Sequence, residues 1–335
     1  MSEEDCWVFV PLKKGKKSKP NLKSLQPQST KSASQRLAAK KAFDALHEKT
    51  HVDVDDANVN VLTQKVKDVA FAMKDTPFFN HFITVLRNNF DDSGSSPCNN
   101  YFHELTILGI GNFSSHHNHS AMLQMCFAYL LQTEMLIGIG MEITGTETET
   151  EIKEKDDNIK EGYVRIFDPV FSELEKRACE LLGMTLVPNL SGHHPIGADS
   201  DRALFFMPHC PYALYSNLVW ENWDCLGKLV IIGNSFEGYC TRKIETMEGK
   251  GDCIRLTAPL ILETNILLPG SNKRSSNASA YNELDCIDTS FNDTCLMRFP
   301  TSTTISDKPV DFARPSREDL ENWNRSNDPE VVNER

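Results

Sequence analysis

The stretch from Leu105 to Ser115, Leu-Thr-Ile-Leu-Gly-Ile-Gly-Asn-Phe-Ser-Ser, constrains the fold of this chain more than any other. Leu105, Ile107, Leu108 and Ile110 form a short apolar run of the kind that makes a buried strand. Gly109 and Gly111 let the backbone turn sharply there and let another group come close to it. After Asn112, Ser114 and Ser115, apolar residues recur at helical spacing between Ser120 and Leu131: Met122, Met125, Cys126, Tyr129 and Leu130. Strand, glycine turn and helix is the opening unit of a nucleotide-binding α/β domain. A full dinucleotide fingerprint would place a third glycine at 114, where this chain has Ser114, so a tight turn with no ligand is an equal reading.

The same alternation continues along the chain. Tyr163 to Phe167 reads as a second strand ending in Asp168-Pro169, and Ser172 with Glu175 makes a capping box for a helix that stops at Gly183. Met184 to Val187 and Ala203 to Met207 read as the third and fourth strands, the latter ending in Pro208-His209-Cys210. A helix over Tyr212 to Trp220 leads to the most apolar strand, Leu229 to Ile232, which ends in Gly233-Asn234-Ser235. Strands alternating with helices imply right-handed crossovers and a parallel sheet. Two helices between 59 and 90, the second opened by Thr76-Pro77, are expected to pack onto that sheet. Beyond Phe236, strand patterns at Thr257 to Leu268 and Thr294 to Phe299 lack a long helix between them, which predicts an antiparallel pair at the sheet edge. The expected fold is a three-layer, Rossmann-like α/β domain over 55–300, mostly parallel, with an acidic, low-complexity surface insertion at 142–161. Residues 1–45 and 301–335 lack apolar periodicity and are expected to be flexible tails.

Net charge is −12 over 335 residues, which argues against direct nucleic-acid binding by the core. The exception is Pro11 to Lys41, with ten Lys or Arg and no Asp or Glu. A nuclear-import or acidic-partner patch and a merely solvated tail are both open readings of it. The ten cysteines include no C-x-x-C pair and suit reduced thiols in a cytoplasmic and nuclear protein. Neither a secretory leader nor an apolar run long enough for a membrane span is expected.

Chemistry gathers where the strands end. In an open parallel sheet the carboxyl ends share one edge, and ligands bind there at the switch point of the strand order. Gly109, Gly111, Asn112, Asp168, His209, Asn234 and Ser235 are therefore the candidate crevice for an adenine-containing or similar small anionic ligand, with the turn's N–H groups facing it and Asp168 placed as a ribose-binding carboxylate at the second strand tip. The competing reading is that turns are polar in any α/β protein. His209 beside Cys210 suggests nucleophile and base, but neighbours on a strand point to opposite faces. The chain carries no G-x-S-x-G elbow, P-loop or H-E-x-x-H, so no catalytic residue is assigned. His116, His117 and His119 lie at a helix start and are read as solvated, so no metal site is assigned either.

Taken together, five segments resemble the "sensitivity to red light reduced" family: Gly109-Ile-Gly-Asn-Phe-Ser, Phe167-Asp-Pro-Val-Phe-Ser172, Met207-Pro-His-Cys-Pro-Tyr212, Leu214-Tyr-Ser-Asn-Leu-Val-Trp220 and Val230-Ile-Ile-Gly-Asn-Ser-Phe236. Trp7-Val-Phe-Val before the lysine block and Phe291-Asn-Asp-Thr294 extend the likeness. The acidic insertion and the Ser/Asn-rich stretch near 270–285 depart from it. The resemblance implies a regulatory protein acting through unidentified protein partners, linked to circadian clock input, clock-gene expression and the regulation of haem biosynthesis, with no established reaction. Two alternatives stay open. One is a methyltransferase using S-adenosylmethionine, or another enzyme with a nucleotide-like ligand, although Leu108 stands where an acidic residue usually precedes the glycines. The other is haem sensing through Cys210 or His209, suggested by the Cys210-Pro211 dipeptide.

Overall fold

The computed structural model describes residues 55–90, 102–135, 163–197, 200, 202–242, 251–269, 283–300 and 313–327. The basic segment, the acidic insertion and most of the Ser/Asn-rich stretch lie outside the described residues.

Two helices come first, α1 (Asp56–Lys74) and α2 (Pro77–Phe90), and then β1 (Glu104–Leu108) and α3 (His119–Met135). The chain continues through β2 (Tyr163–Phe167), α4 (Glu173–Leu181), β3 (Thr185–Leu186), β4 (Ala203–Met207), α5 (Tyr212–Glu221) and β5 (Leu229–Asn234). Short helices α6 (Phe236–Arg242) and α7 (Cys253–Thr257), strand β6 (Leu262–Asn265), helix α8 (Ile287–Ser290), strand β7 (Thr294–Arg298) and helix α9 (Arg317–Asn327) complete it. The sheet has seven strands in the order β3-β2-β1-β4-β5-β7-β6. β1 pairs in parallel with β2 on one side and β4 on the other, and β4 pairs in parallel with β5. From β1 the chain builds outward to β3, then returns to lay β4 against β1, so the order reverses between β1 and β4. β7 is antiparallel to both β5 and β6 and lies between them. Every residue of β4 is buried, as a central parallel strand covered on both faces requires.

Phe127 of α3 is where the outer helices meet the sheet. Its ring lies 4.8 Å from Phe82, 5.1 Å from Phe291 and 5.4 Å from Phe206 of β4. α2 therefore packs its aromatic rings on α3 and on Phe291, while its last turn meets the sheet as expected: Asn89 Nδ2 donates to Thr264 Oγ1 of β6 at 3.4 Å, and Asn89 Oδ1 accepts from Arg298 Nε of β7 at 3.2 Å. A helix apolar on all sides is covered on all sides, and α3 has that composition. Lys74 of α1 is bonded to Glu134 of α3 at 2.7 Å. The helix start at Pro77 is as expected, with Thr76 Oγ1 accepting from the Phe79 N–H at 3.3 Å.

Two expectations change in the second half. The stretch Thr257 to Leu268 is a strand only over Leu262–Asn265; Thr257 ends α7, and a 3₁₀ turn holds Pro259, which has no N–H for a ladder. Residues 317–327, read from sequence as part of a polar tail, form α9. Leu320 and Trp323 are buried, and Asn324 Nδ2 donates to Asn217 Oδ1 of α5 at 2.7 Å. Ahead of α9, Trp220 Nε1 donates to Pro315 O at 2.8 Å, and the Arg314 guanidinium lies 3.9 Å from the Trp220 ring centroid. Only about one apolar residue per turn of α9 is needed for this docking, which leaves no periodic signal to read. Gly251 makes room, since a Cβ there would run into the α9 backbone at Asp319.

Two outcomes follow from this packing. Trp323→Ala removes a large buried ring, and urea unfolding should show a loss of about 3–5 kcal/mol. If stability is unchanged, α9 is not part of the folded unit. The second concerns His194, which is 1% exposed, with its pKa lowered to about 4, chiefly by burial and then by the Arg165 and His193 charges. Its unfolded value is near 6.5, so the unfolded chain takes up the proton first as pH falls. Stability is then lost between pH 6.5 and about 4, by at most about 3 kcal/mol. Urea unfolding of wild type and His194→Gln at pH 7 and pH 4.5 should show the smaller drop in the variant.

Candidate functional site

The turn after β1 is built on two left-handed glycines, Gly109 (φ +72°) and Gly111 (φ +79°). Glycine is required at 109 on two counts, because a Cβ there would also overlap Cys210 Sγ. Asp168, at the tip of β2, reaches across this turn. Its Oδ2 accepts from the Gly111 N–H at 2.7 Å, and its Oδ1 accepts from the Val170 N–H at 2.9 Å. Glu175 is fully buried and does the same further along. Its Oε1 accepts from the Ser114 N–H at 2.8 Å, while Oε2 accepts from the Ser172 N–H at 2.8 Å. The Ser172–Glu175 capping box is therefore present, and its carboxylate serves the glycine turn as well as its own helix. Asn112 Oδ1 accepts from the Ser115 N–H at 2.9 Å.

Three N–H groups of the turn are thus engaged by acceptors of the protein itself. α3 starts only at His119, where Asn118 Oδ1 accepts from the Ala121 N–H at 3.2 Å, so these three N–H groups belong to the turn ahead of the helix. Engaged by Asp168, Glu175 and Asn112, they are not free to hold a phosphate. Asp168 carries a raised pKa, mainly through burial, with the two backbone N–H bonds pulling it down and the nearby Glu175 pushing it up. Asp168 is only 7% exposed, so its first role is to lock the turn. The turn's N–H groups, expected to face an anion, have their acceptors within the chain.

A second group forms at the tips of β4 and β5. His209 is left-handed (φ +55°), its N–H donates to Asn234 Oδ1 at 3.0 Å, and its Nε2 lies 3.1 Å from the Ser290 carbonyl. Asn234 Nδ2 donates to the Tyr239 hydroxyl at 2.8 Å, and the Asn234 N–H donates to the Tyr215 hydroxyl at 2.9 Å. The Tyr239 hydroxyl donates to Cys210 O at 2.9 Å, and that of Tyr215 to Met207 O. Cys210 is buried, its thiol faces Leu108 O at 3.5 Å, and burial pushes its pKa well above the ordinary thiol value. It is a packing residue and not an available thiolate.

Of the seven candidate residues, Gly109, Gly111, Asn112 and Asp168 share the β1–β2 tips, and His209 and Asn234 share the β4–β5 tips. The overlap of position 109 with Cys210 joins the two groups. Ser235 is bonded elsewhere, with Oγ donating to Glu263 Oε2 of β6 at 2.7 Å and accepting from the Gly238 N–H at 2.8 Å. Sequence reasoning missed the second role of Glu175, and it missed Tyr215, Tyr239 and Ser290. Only Glu175 had a signal, its place in the capping box. His116 and His117 are exposed, and among the described residues no group of three His, Cys, Asp or Glu is placed to hold a metal ion. Among them, too, no helix is long and apolar enough to cross a membrane.

An open, mostly parallel α/β sheet with its order reversing at β1/β4, and with polar turns gathered at that edge, defines a Rossmann-like protein. Residues 82–298, more than half of the chain, match the SRR1 domain, and the chain belongs to that family. It is 42% identical over 83 residues to the mouse SRR1-like protein, a match covering 24% of this chain and 32% of that one. It is also 42% identical over 79 residues to the Arabidopsis thaliana Protein SENSITIVITY TO RED LIGHT REDUCED 1, covering 23% and 28%. The fruit-fly SRR1-like protein is 39% identical over 74 residues, covering 21% and 26%. The matched stretches thus span about a third or less of these relatives. A solved structure of a mutant MtNAS in complex with S-adenosylmethionine overlaps 74% of this chain and 76% of its own, at 10% identity and a TM-score of 0.30, too loosely to carry functional information.

Asp168→Asn replaces one acceptor by a donor that faces a backbone N–H. At pH 7 it should lower stability by about 1–3 kcal/mol in urea unfolding, with faster amide exchange at Gly111. Unchanged exchange at Gly111 would mean that the carboxylate does not hold the turn.

Proposed function

We propose that this chain is a regulatory protein that acts through protein partners and takes a small, phosphate-free ligand at the β1–β4 edge. The observation that carries this reading is how the polar groups of the strand ends are used. Asp168, Glu175, Asn112 and Asn234 bond to backbone N–H groups of neighbouring turns, and the nucleophile at that edge, Cys210, is a buried thiol. Such an arrangement sets turn conformation and leaves little to perform covalent chemistry. Family membership and the red-light name of the plant relative support a role in signalling. The finer reading, a part in clock-gene expression and the regulation of haem biosynthesis from both cytoplasm and nucleus, follows from the family resemblance.

A second reading is favoured by one specific observation. An antiparallel β7 inserted between β5 and β6 suits the sheet of S-adenosylmethionine-dependent methyltransferases, although a shared fold does not settle activity. Calorimetry with S-adenosylmethionine, S-adenosylhomocysteine, NAD and haem separates the readings. S-adenosylmethionine or its demethylated product should bind, and NAD should not, because Asp168 and Glu175 take up turn N–H groups that its pyrophosphate would need. Conversion of S-adenosylmethionine to S-adenosylhomocysteine on incubation with cell extract would replace the regulator by the enzyme. Haem binding that Cys210→Ala abolishes would favour haem sensing instead.

A further inference from the structure

We infer that His209 reads the ligand at the β1–β4 edge, offering Nδ1 as a hydrogen-bond acceptor to an amine or hydroxyl of a phosphate-free nucleoside. This rests on the edge-binding reading above and adds a residue, an atom and a direction of hydrogen bonding.

Three observations carry it. His209 ends β4, one of the two strands between which the sheet order reverses, and that is where open α/β sheets take their ligands. Its φ of +55° is a conformation that few side chains other than Asn, Asp and His adopt. It is held there from two sides, by Asn234 Oδ1 on its N–H and by the Ser290 carbonyl on its ring. The third observation is chemical. A carbonyl can only accept, so Nε2 carries the proton in the 3.1 Å contact to Ser290 O. In the neutral ring the lone pair is then on Nδ1. Nδ1 has no partner among the described residues, and the half-buried ring leaves it open to water. An imidazole fixed through one nitrogen with the other left as an accessible acceptor is oriented to bind a donor.

The ligand class follows from the surroundings. The neighbouring turn has its Gly111 and Ser114 N–H groups taken up by Asp168 and Glu175, so they are not free to hold a phosphate. With an acceptor at His209, the edge suits a nucleoside without phosphate that brings its own N–H or O–H donors.

Two substitutions separate the ligand role from a structural one. His209→Asn keeps an acceptor near the Nδ1 position, tolerates the left-handed backbone and loses the reach to Ser290. His209→Gln keeps a donor that reaches Ser290 O and loses the near acceptor. Calorimetry at pH 8 with S-adenosylmethionine and S-adenosylhomocysteine on the full chain is expected to show His209→Asn within about threefold of wild type. His209→Gln, and His209→Gly with the backbone freedom but no side chain, should bind on the order of tenfold more weakly. Wild-type affinity in His209→Gln with loss in His209→Asn overturns this inference and leaves the edge-binding reading standing. Failure of the wild type to bind either compound overturns both. Long-range ¹H–¹⁵N NMR of the unliganded protein tests the premise apart from any ligand: an Nε2–H tautomer supports it, and an Nδ1–H tautomer overturns it.

Discussion

The carboxylates of Asp168 and Glu175 accept hydrogen bonds from the turn that follows β1, and the site depends on that interaction. Moving a carboxylate out of water is costly unless its oxygens are met by donors, and backbone N–H groups of a turn are donors with nowhere else to go. Each side thus removes the penalty of the other. The turn needs Gly109 and Gly111 to aim its N–H groups at the acids, and the acids need β2 and α4 to bring them within 2.7 and 2.8 Å. Loss of either partner would leave a buried group without its match. The internal acids also shape what the edge can take, because they leave the turn's N–H groups unavailable to a phosphate.

The tips of β4 and β5 are fixed by different means. There the hydroxyls of buried Tyr215 and half-buried Tyr239, an asparagine and a set of carbonyls form a chain of neutral hydrogen bonds around Cys210 and Asn234. Gly233 belongs to the same arrangement, since a Cβ at that position would press on the Tyr215 hydroxyl. Neutral bonds of this kind contribute about 1 kcal/mol each, and several in series make a turn rigid without storing charge. One half of the edge is thus acidic and the other uncharged, with His209 between them in chain position and chemistry.

The five parallel strands, the capping box at Ser172 and the antiparallel arrangement of the last strands were legible in the sequence, because buried strands, caps and turns leave local patterns. The position of α2 was not. Its amphipathic face announces burial, but its partners, Phe127 on α3 and Thr264 and Arg298 at the sheet edge, lie far along the chain, and nothing local names them. The candidate site was legible as a set of strand ends but not as a set of bonds. Asp168 has the identity and the place expected of a ribose-binding acid, and its actual partner is the backbone of Gly111. Tyr215 and Tyr239 carried no signal, since a tyrosine in an apolar run reads as core whether or not its hydroxyl finds a carbonyl. Ser235 shows the opposite failure, a well-placed polar residue whose partner is Glu263 on the far strand.

α9 separates two meanings of the word domain. The segment that recurs through the family ends at residue 298, yet the packing of α5 continues through Leu320 and Trp323, and Asn217 finds its partner in Asn324. A recurring segment is defined by what relatives share, a folding unit by which surfaces must be covered. A fragment cut at the family boundary would take the partners of Asn217 and Trp220 away from α5 and bare the surface that α9 covers, inviting self-association through it.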